Sequence, residues 1–123
     1  MSAGKKAVAV VDDDEAVLDA TSSFLEALGY DTRAFKSGEA FLAAGLAGDV
    51  SCLLTDINMP GLSGLDLQDR VRLVRPALPI IMMTALTDDS IRRRALAGGA
   101  RDLLRKPVAA DDLIRCLQDT IGP

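Results

Sequence analysis

The chain has 123 residues, of which 49% are hydrophobic and 26% charged, enough apolar material for one globular domain and too little length for two, so residues 1–123 are read as one unit. A net charge of −4 excludes a basic face for nucleic acid, and the absence of histidine excludes imidazole catalysis, Ser-His triads, histidine metal sites and a phosphohistidine carrier. No apolar run is long enough for a membrane span, the start lacks a signal peptide's apolar stretch, and Cys52 and Cys116 suit reduced core thiols, which together predict a cytoplasmic protein with no membrane partner.

Ala7 to Val11 is continuously apolar, the pattern of a strand buried on both faces, and it ends in Asp12-Asp13-Asp14. From Glu15 the period becomes helical, with Val17, Thr21, Phe24 and Leu28 in one stripe widened by Leu18 and Leu25, and Gly29 as the stop. Tyr30 to Phe35 alternates as a second, less buried strand. Ser37 caps a short helix that turns Phe41 and Leu42 inward and is broken up by Gly45 and Gly48.

A third apolar run ends at Asp56, where the turn formers Asn58, Pro60, Gly61 and Gly64 follow at once. Ser63 and Asp66 have capping-box spacing ahead of Leu67, Val71 and Val74, a helix closed by Pro76 and Pro79. Ile80 to Met83 is a fourth strand leading to Thr84, and Thr87, Asp88 and Asp89 open the next helix, which Gly98-Gly99 ends. A short strand through Leu103 and Leu104 gives way to Arg105-Lys106-Pro107, and Leu113, Leu117 and Ile121 mark the last helix. Five strand–helix units in alternation predict an α/β domain, a parallel sheet covered on both faces.

In such a sheet ligands bind beyond the carboxyl ends of the strands, where Asp12, Asp13, Asp56, Thr84 and Lys106 all stand. Carboxylates gathered there repel one another unless a cation lies between them, and an all-oxygen donor set suits Mg²⁺. With that charge neutralised, a carboxylate can attack phosphorus while Lys106 and the Thr84 hydroxyl stabilise the equatorial oxygens. Taken singly, each residue has an ordinary reading as a cap, a turn or a surface charge. Their joint occurrence at four strand ends, in this order, does not.

The motifs Val10 to Glu15, Thr55 to Pro60 with Gly64, Met83-Thr84-Ala85 and Lys106-Pro107 resemble those of the receiver domains of two-component response regulators. The resemblance covers essentially the whole chain. Asp12 to Glu15 together with Ser37 to Leu42 is most similar to the FixJ type, whose members usually carry a C-terminal helix-turn-helix output domain. It implies a flavodoxin-like, doubly wound (βα)5 fold with strand order 2-1-3-4-5.

The same resemblance makes Asp56 the phosphoacceptor, Asp13 a direct Mg²⁺ ligand, Asp12 a ligand through water, and the backbone carbonyl of Asn58 the remaining protein ligand beside Asp56. Thr84 and Lys106 would contact phosphoryl oxygens, helped by the backbone N–H groups of Ile57 and Ala85, and the peptide before Pro107 would be cis. Asp14 is left as a cap for the first helix. The implied partner is a sensor histidine kinase, which supplies the histidine this chain lacks. The implied activity is that of a phosphoacceptor switch rather than an enzyme, controlling transcription through an output domain, with no nucleic acid bound by this domain itself.

Two positions depart from the family's habit. Leu103 stands where members commonly have an aromatic that changes rotamer, so any switch here must work through backbone movement and aliphatic repacking around Thr84. Leu86, at the site rim, cannot orient an attacking water, which predicts slower self-dephosphorylation than in Leu86→Glu. Arg92, Arg93 and Arg94 read first as a solvated face, with phosphorylation-dependent homodimerisation as the minority reading. The runner-up function is a Mg²⁺-dependent phosphohydrolase of the haloacid dehalogenase type, but that chemistry needs a second Asp where Asn58 stands. A flavodoxin-like cofactor binder would place its phosphate where Asp12 to Asp14 repel it.

Overall fold

A computed structural model describes residues 6–45, 49–85 and 88–122. The elements alternate as β1 (Ala7–Val11), α1 (Glu15–Ala27), β2 (Asp31–Phe35), α2 (Gly38–Ala44), β3 (Cys52–Asp56), α3 (Gly64–Val74), β4 (Ile80–Thr84), α4 (Asp89–Ala97), β5 (Asp102–Arg105) and α5 (Ala110–Ile121). All pairings are parallel, in the order β2-β1-β3-β4-β5. The chain moves outward from β1 to β2, then crosses back to β3 on the other side, so the strand order reverses between β1 and β3.

Every residue of β1, β3 and β4 is buried, as their unbroken apolar runs require, whereas the edge strands β2 and β5 are partly exposed. Alternate residues feed two cores. Val8, Val10, Leu54 and Met83 pack with Leu18 and Leu25 of α1 and with Leu113 and Leu117 of α5. Ala9, Val11, Leu53 and Met82 pack under Phe41 of α2, Leu67 and Val71 of α3 and Ala95 of α4. Burying each large aliphatic side chain is worth about 2 kcal/mol, and an almost purely aliphatic interior is what this composition supplies.

Local sequence sets the helix ends. Asp14 Oδ1 accepts from the N–H groups of Ala16 and Val17, so the third residue of the acidic triplet is the cap of α1. Ser37 caps α2 through the Ala40 N–H, and Ser63 and Asp66 form the reciprocal box on α3. Asp88 caps α4. Leu86, Thr87 and Gly48 lie outside the described residues, as do residues 1–5.

Two hydrophobic stripes differ from expectation. In α1 the buried residues are Leu18 and Leu25, while Val17, Thr21 and Phe24 are half-buried along a cleft and Leu28 is exposed. In α3 the buried face is Leu65, Leu67, Gln68 and Val71, and Val74 is 69% exposed because it is the final residue of the helix, where the chain turns away through Arg75 and Pro76. Arg92, Arg93 and Arg94 form the solvated face predicted for α4, with Arg94 3.8 Å from Asp66 and Ala95 turned inward.

Candidate functional site

Strand register brings the polar strand ends together. Val11 pairs with Thr55, so Asp12 and Asp56, each one step further on, leave the sheet side by side. Asp56 pairs with Met83 and Thr84 with Arg105, so Thr84 and Lys106 border the same edge. The Lys106 N–H donates to the Thr84 carbonyl at 2.8 Å, and the Lys106–Pro107 peptide is cis, as the resemblance implied.

Asp12 is fully buried and Asp56 is 7% exposed, while Asp13 reaches solvent. Asp12 Oδ1 accepts the Asp14 N–H at 3.0 Å. Its Oδ2 accepts from Lys106 Nζ at 2.7 Å, and the same ammonium stands 3.4 Å from Asp56 Oδ2. Asp12, Asp13 and Asp56 each offer a carboxylate oxygen within 4.8 Å of the others. All three donors are carboxylate oxygens, with no sulfur or nitrogen ligand among them, and that donor chemistry suits Mg²⁺.

Electrostatics sets Asp56 apart from a surface carboxylate. Burial pushes the Asp56 carboxyl above its ordinary value; the Lys106 charge opposes the rise, Asp12 adds to it, and a hydrogen bond from the Asn58 N–H opposes it again. Burial acts against the Lys106 ammonium too, but its hydrogen bond to Asp12 and the charges of Asp56 and Asp12 outweigh that and raise it. Negative charge is concentrated here and only partly answered. Added positive charge is favoured at this point.

Backbone donors differ in one detail from expectation. The Ile57 N–H is used in the sheet, donating to the Met83 carbonyl at 3.0 Å, and the amide that faces the Asp56 carboxylate is that of Asn58. The β3–β4 ladder continues one residue beyond the carboxylate, which composition alone does not reveal. Leu103 is half-buried and lines a cavity of about 180 Å³ with Thr84, Asp88, Arg92 and Arg105. A larger, mostly apolar cleft of about 510 Å³ opens beside Lys106 and Ala85 between α1 and α5, walled by Val17, Phe24, Pro107 and Leu113.

Two polar residues near this region carry contacts that the strand-end motifs did not point to. Glu39 of α2 accepts the Leu62 N–H at 3.2 Å, and the buried Gln68 of α3 donates to the Ala95 carbonyl at 3.0 Å. Gln68 was detectable in principle, because it stands three residues after Leu65 and three before Val71 on the buried stripe.

Comparison with known proteins agrees with this geometry. Residues 8–118 match the family model described as the response regulator receiver domain. The response regulator protein TmoT of Ectopseudomonas mendocina is 32% identical over 98% of this chain and 55% of its own length. The transcriptional regulatory protein FixJ of Azorhizobium caulinodans is 35% identical over 94% of this chain and 54% of its own. The chain thus spans about half the length of the curated relatives it matches.

Among solved structures, the Vibrio cholerae chemotaxis protein CheY4 superposes with a TM-score of 0.89 at 27% identity, covering 96% of this chain and all 100% of that one. A response regulator receiver protein from Pseudomonas putida gives 0.87 at 30% identity, over 95% and 98% of the two chains. These matches favour a signalling role over the phosphohydrolase reading. With its sheet order, its strand-end carboxylates and its opposed lysine accounted for, the chain belongs to the response regulator receiver domains of two-component signal transduction.

Proposed function

We propose that residues 1–123 form one receiver unit that accepts a phosphoryl group onto Asp56 from the histidine of a sensor kinase, in a Mg²⁺-dependent reaction in the cytoplasm. The observation that supports this most directly is that Lys106 Nζ touches Asp12 and Asp56 together, at 2.7 Å and 3.4 Å, on the open edge of the sheet. Asp12 and Asp56 are thereby both shared between the lysine and the acidic cluster, and Asp56 is the one that closes the central strand β3.

In this reading Asp12, Asp13, Asp56 and the Asn58 carbonyl hold Mg²⁺, which supplies charge neutralisation at the phosphoryl oxygens. An Asp56 carboxylate oxygen attacks phosphorus in line with the departing imidazole nitrogen; the O–P bond forms as the N–P bond breaks. Lys106 meets the charge on the equatorial oxygens, and the Thr84 hydroxyl donates to one of them. Accumulated acyl phosphate shifts the population between two surfaces rather than being turned over, so the unit is a switch and not an enzyme. Control of transcription would be exerted through an output domain, as in the transcriptional regulators the chain resembles, and self-association, where it occurs, uses the Arg92 and Arg93 side of α4.

Incubation with acetyl phosphate and Mg²⁺, read by intact mass, tests this. The wild type gains one phosphoryl group, Asp56→Asn gains none, and chelation abolishes the gain. Release of inorganic phosphate in many-fold excess over protein would instead restore the phosphohydrolase. Absence of the adduct in wild type would end the proposal.

A further inference from the structure

The connection between β3 and α3 carries Asn58, so whatever shapes it decides whether that backbone faces the carboxylates. Its near end is fastened three times: Ile57 N–H to the Met83 carbonyl at 3.0 Å, Gly64 N–H to the Ile57 carbonyl at 2.8 Å, and Asn58 N–H to Asp56. Its tip is weaker by composition. Pro60 has no N–H to give, and Gly61 takes a φ of +75°, a conformation that costs most residues about 1 kcal/mol or more.

At that tip α2 reaches across. Glu39 Oε2 accepts the Leu62 N–H at 3.2 Å, and the same oxygen would lie 2.6 Å from a Cβ on Gly61. Gly38, in the same turn, is packed so closely that its Cβ would lie 3.1 Å from Leu62 Cδ2. The turn that presents Glu39 is itself fixed by the Ser37 cap. The loop is therefore gripped from the site at one end and from α2 at the other.

We infer that Glu39 is a positioning residue for the metal end of the site, holding the β3–α3 loop so that the Asn58 backbone stays turned toward the carboxylates. The inference rests on the Mg²⁺ reading given above. Glu39 is solvent-exposed, so its charge is screened, and its role is that of a fixed hydrogen-bond acceptor. Outer contacts of this kind tune metal affinity by pre-organising the groups that touch the ion.

The test is calorimetric titration with Mg²⁺ of the wild type, Glu39→Ala, Glu39→Gln and Glu39→Asp, with thermal melts and the Leu62 amide resonance followed in parallel. Loss of the acceptor in Glu39→Ala raises the Mg²⁺ Kd about fivefold and shifts the Leu62 amide. Glu39→Gln keeps a carbonyl at the same reach and stays within about twofold of wild type, whereas Glu39→Asp keeps the charge, falls short of Leu62 and behaves like Glu39→Ala. Equal affinity in wild type and Glu39→Ala overturns the inference, and so does a Glu39→Gln that matches Glu39→Ala while Glu39→Asp matches wild type, since charge would then be the cause. A wild type that takes up no Mg²⁺ defeats the underlying site reading, and is told apart because it appears before any substitution is compared.

Discussion

Lys106 Nζ donates to Asp12 Oδ2 at 2.7 Å, closing a contact between residues 94 apart in the chain. Asp12 is fully buried and Lys106 largely so, which makes the ammonium the counter-charge at closest range to a desolvated side chain.

Removing that charge should expose what it compensates. Lys106→Met is expected to lose about 2 kcal/mol of stability in chelator, because Asp12 and Asp56 are left facing each other without a cation. Added Mg²⁺ should raise the melting temperature of the variant more than that of wild type, since the ion replaces the missing positive charge. Equal Mg²⁺-induced shifts in the two proteins would contradict the shared-charge account of this site.

Gly64 is the second lever on the same carboxylate. A Cβ there would lie 2.3 Å from the Asp56 carbonyl oxygen and 2.8 Å from Ile57 Cα, both backbone atoms that cannot rotate aside. Gly64→Ala is therefore expected to cost about 3 kcal/mol by chemical denaturation and to weaken Mg²⁺ binding, as Asp56 is pushed from its place. Gly29→Ala is the control: its φ is +99° but the space around it is open, so about 1 kcal/mol is expected with no effect on the site.

These positions show where sequence reasoning succeeds. The placement of Asp56, Thr84 and Lys106 at the end of the sheet was legible because Asp56 and Thr84 close buried strands and Lys106 follows the short Leu103-Leu104-Arg105 run of β5. The stripe in α1 misled because Val17, Thr21 and Phe24 wall a cleft, and apolar residues facing a cleft have the same helical spacing as residues facing a core. The contacts of Glu39 with Leu62 and of Gln68 with Ala95 span 23 and 27 residues, and such pairings leave no local trace. Which amide faces Asp56 depends on how far the β3–β4 ladder runs, a property of register rather than residue type.

The two thiols should be inert in the native protein. Burial pushes Cys52 up to about 12, with Cys116 adding to the effect, and burial followed by the charge of Asp102 pushes Cys116 to about 11. Thiolate is the reactive form, so iodoacetamide at mildly alkaline pH should leave both unlabelled by intact mass and label both once denaturant unfolds the chain. Rapid stoichiometric labelling of the folded protein would contradict the burial assigned to them.

The junction of α3 with α4 yields a prediction about coupling rather than about one residue. Gln68 Nε2 donates to the Ala95 carbonyl, while its Oε1 would lie 2.3 Å from a Cβ on Gly98. Arg72, one turn further along α3, donates to the carbonyls of Leu78 and Gly99, both at 2.7 Å, so the C-terminal end of α4 is tied to α3 by side chains reaching backbone. Gln68→Ala should cost about 1 kcal/mol through the lost hydrogen bond, since the Ala95 carbonyl keeps the Ala100 N–H at 3.0 Å. Gly98→Ala should also destabilise the otherwise wild-type protein, although a φ of −78° permits alanine, because the new methyl meets the amide oxygen. With Gln68 already shortened that collision is gone, so the double variant should be more stable than the sum of the two losses predicts by about 1 kcal/mol or more. Strict additivity in denaturant melts would mean that Gln68 and Gly98 do not share the space the structure gives them.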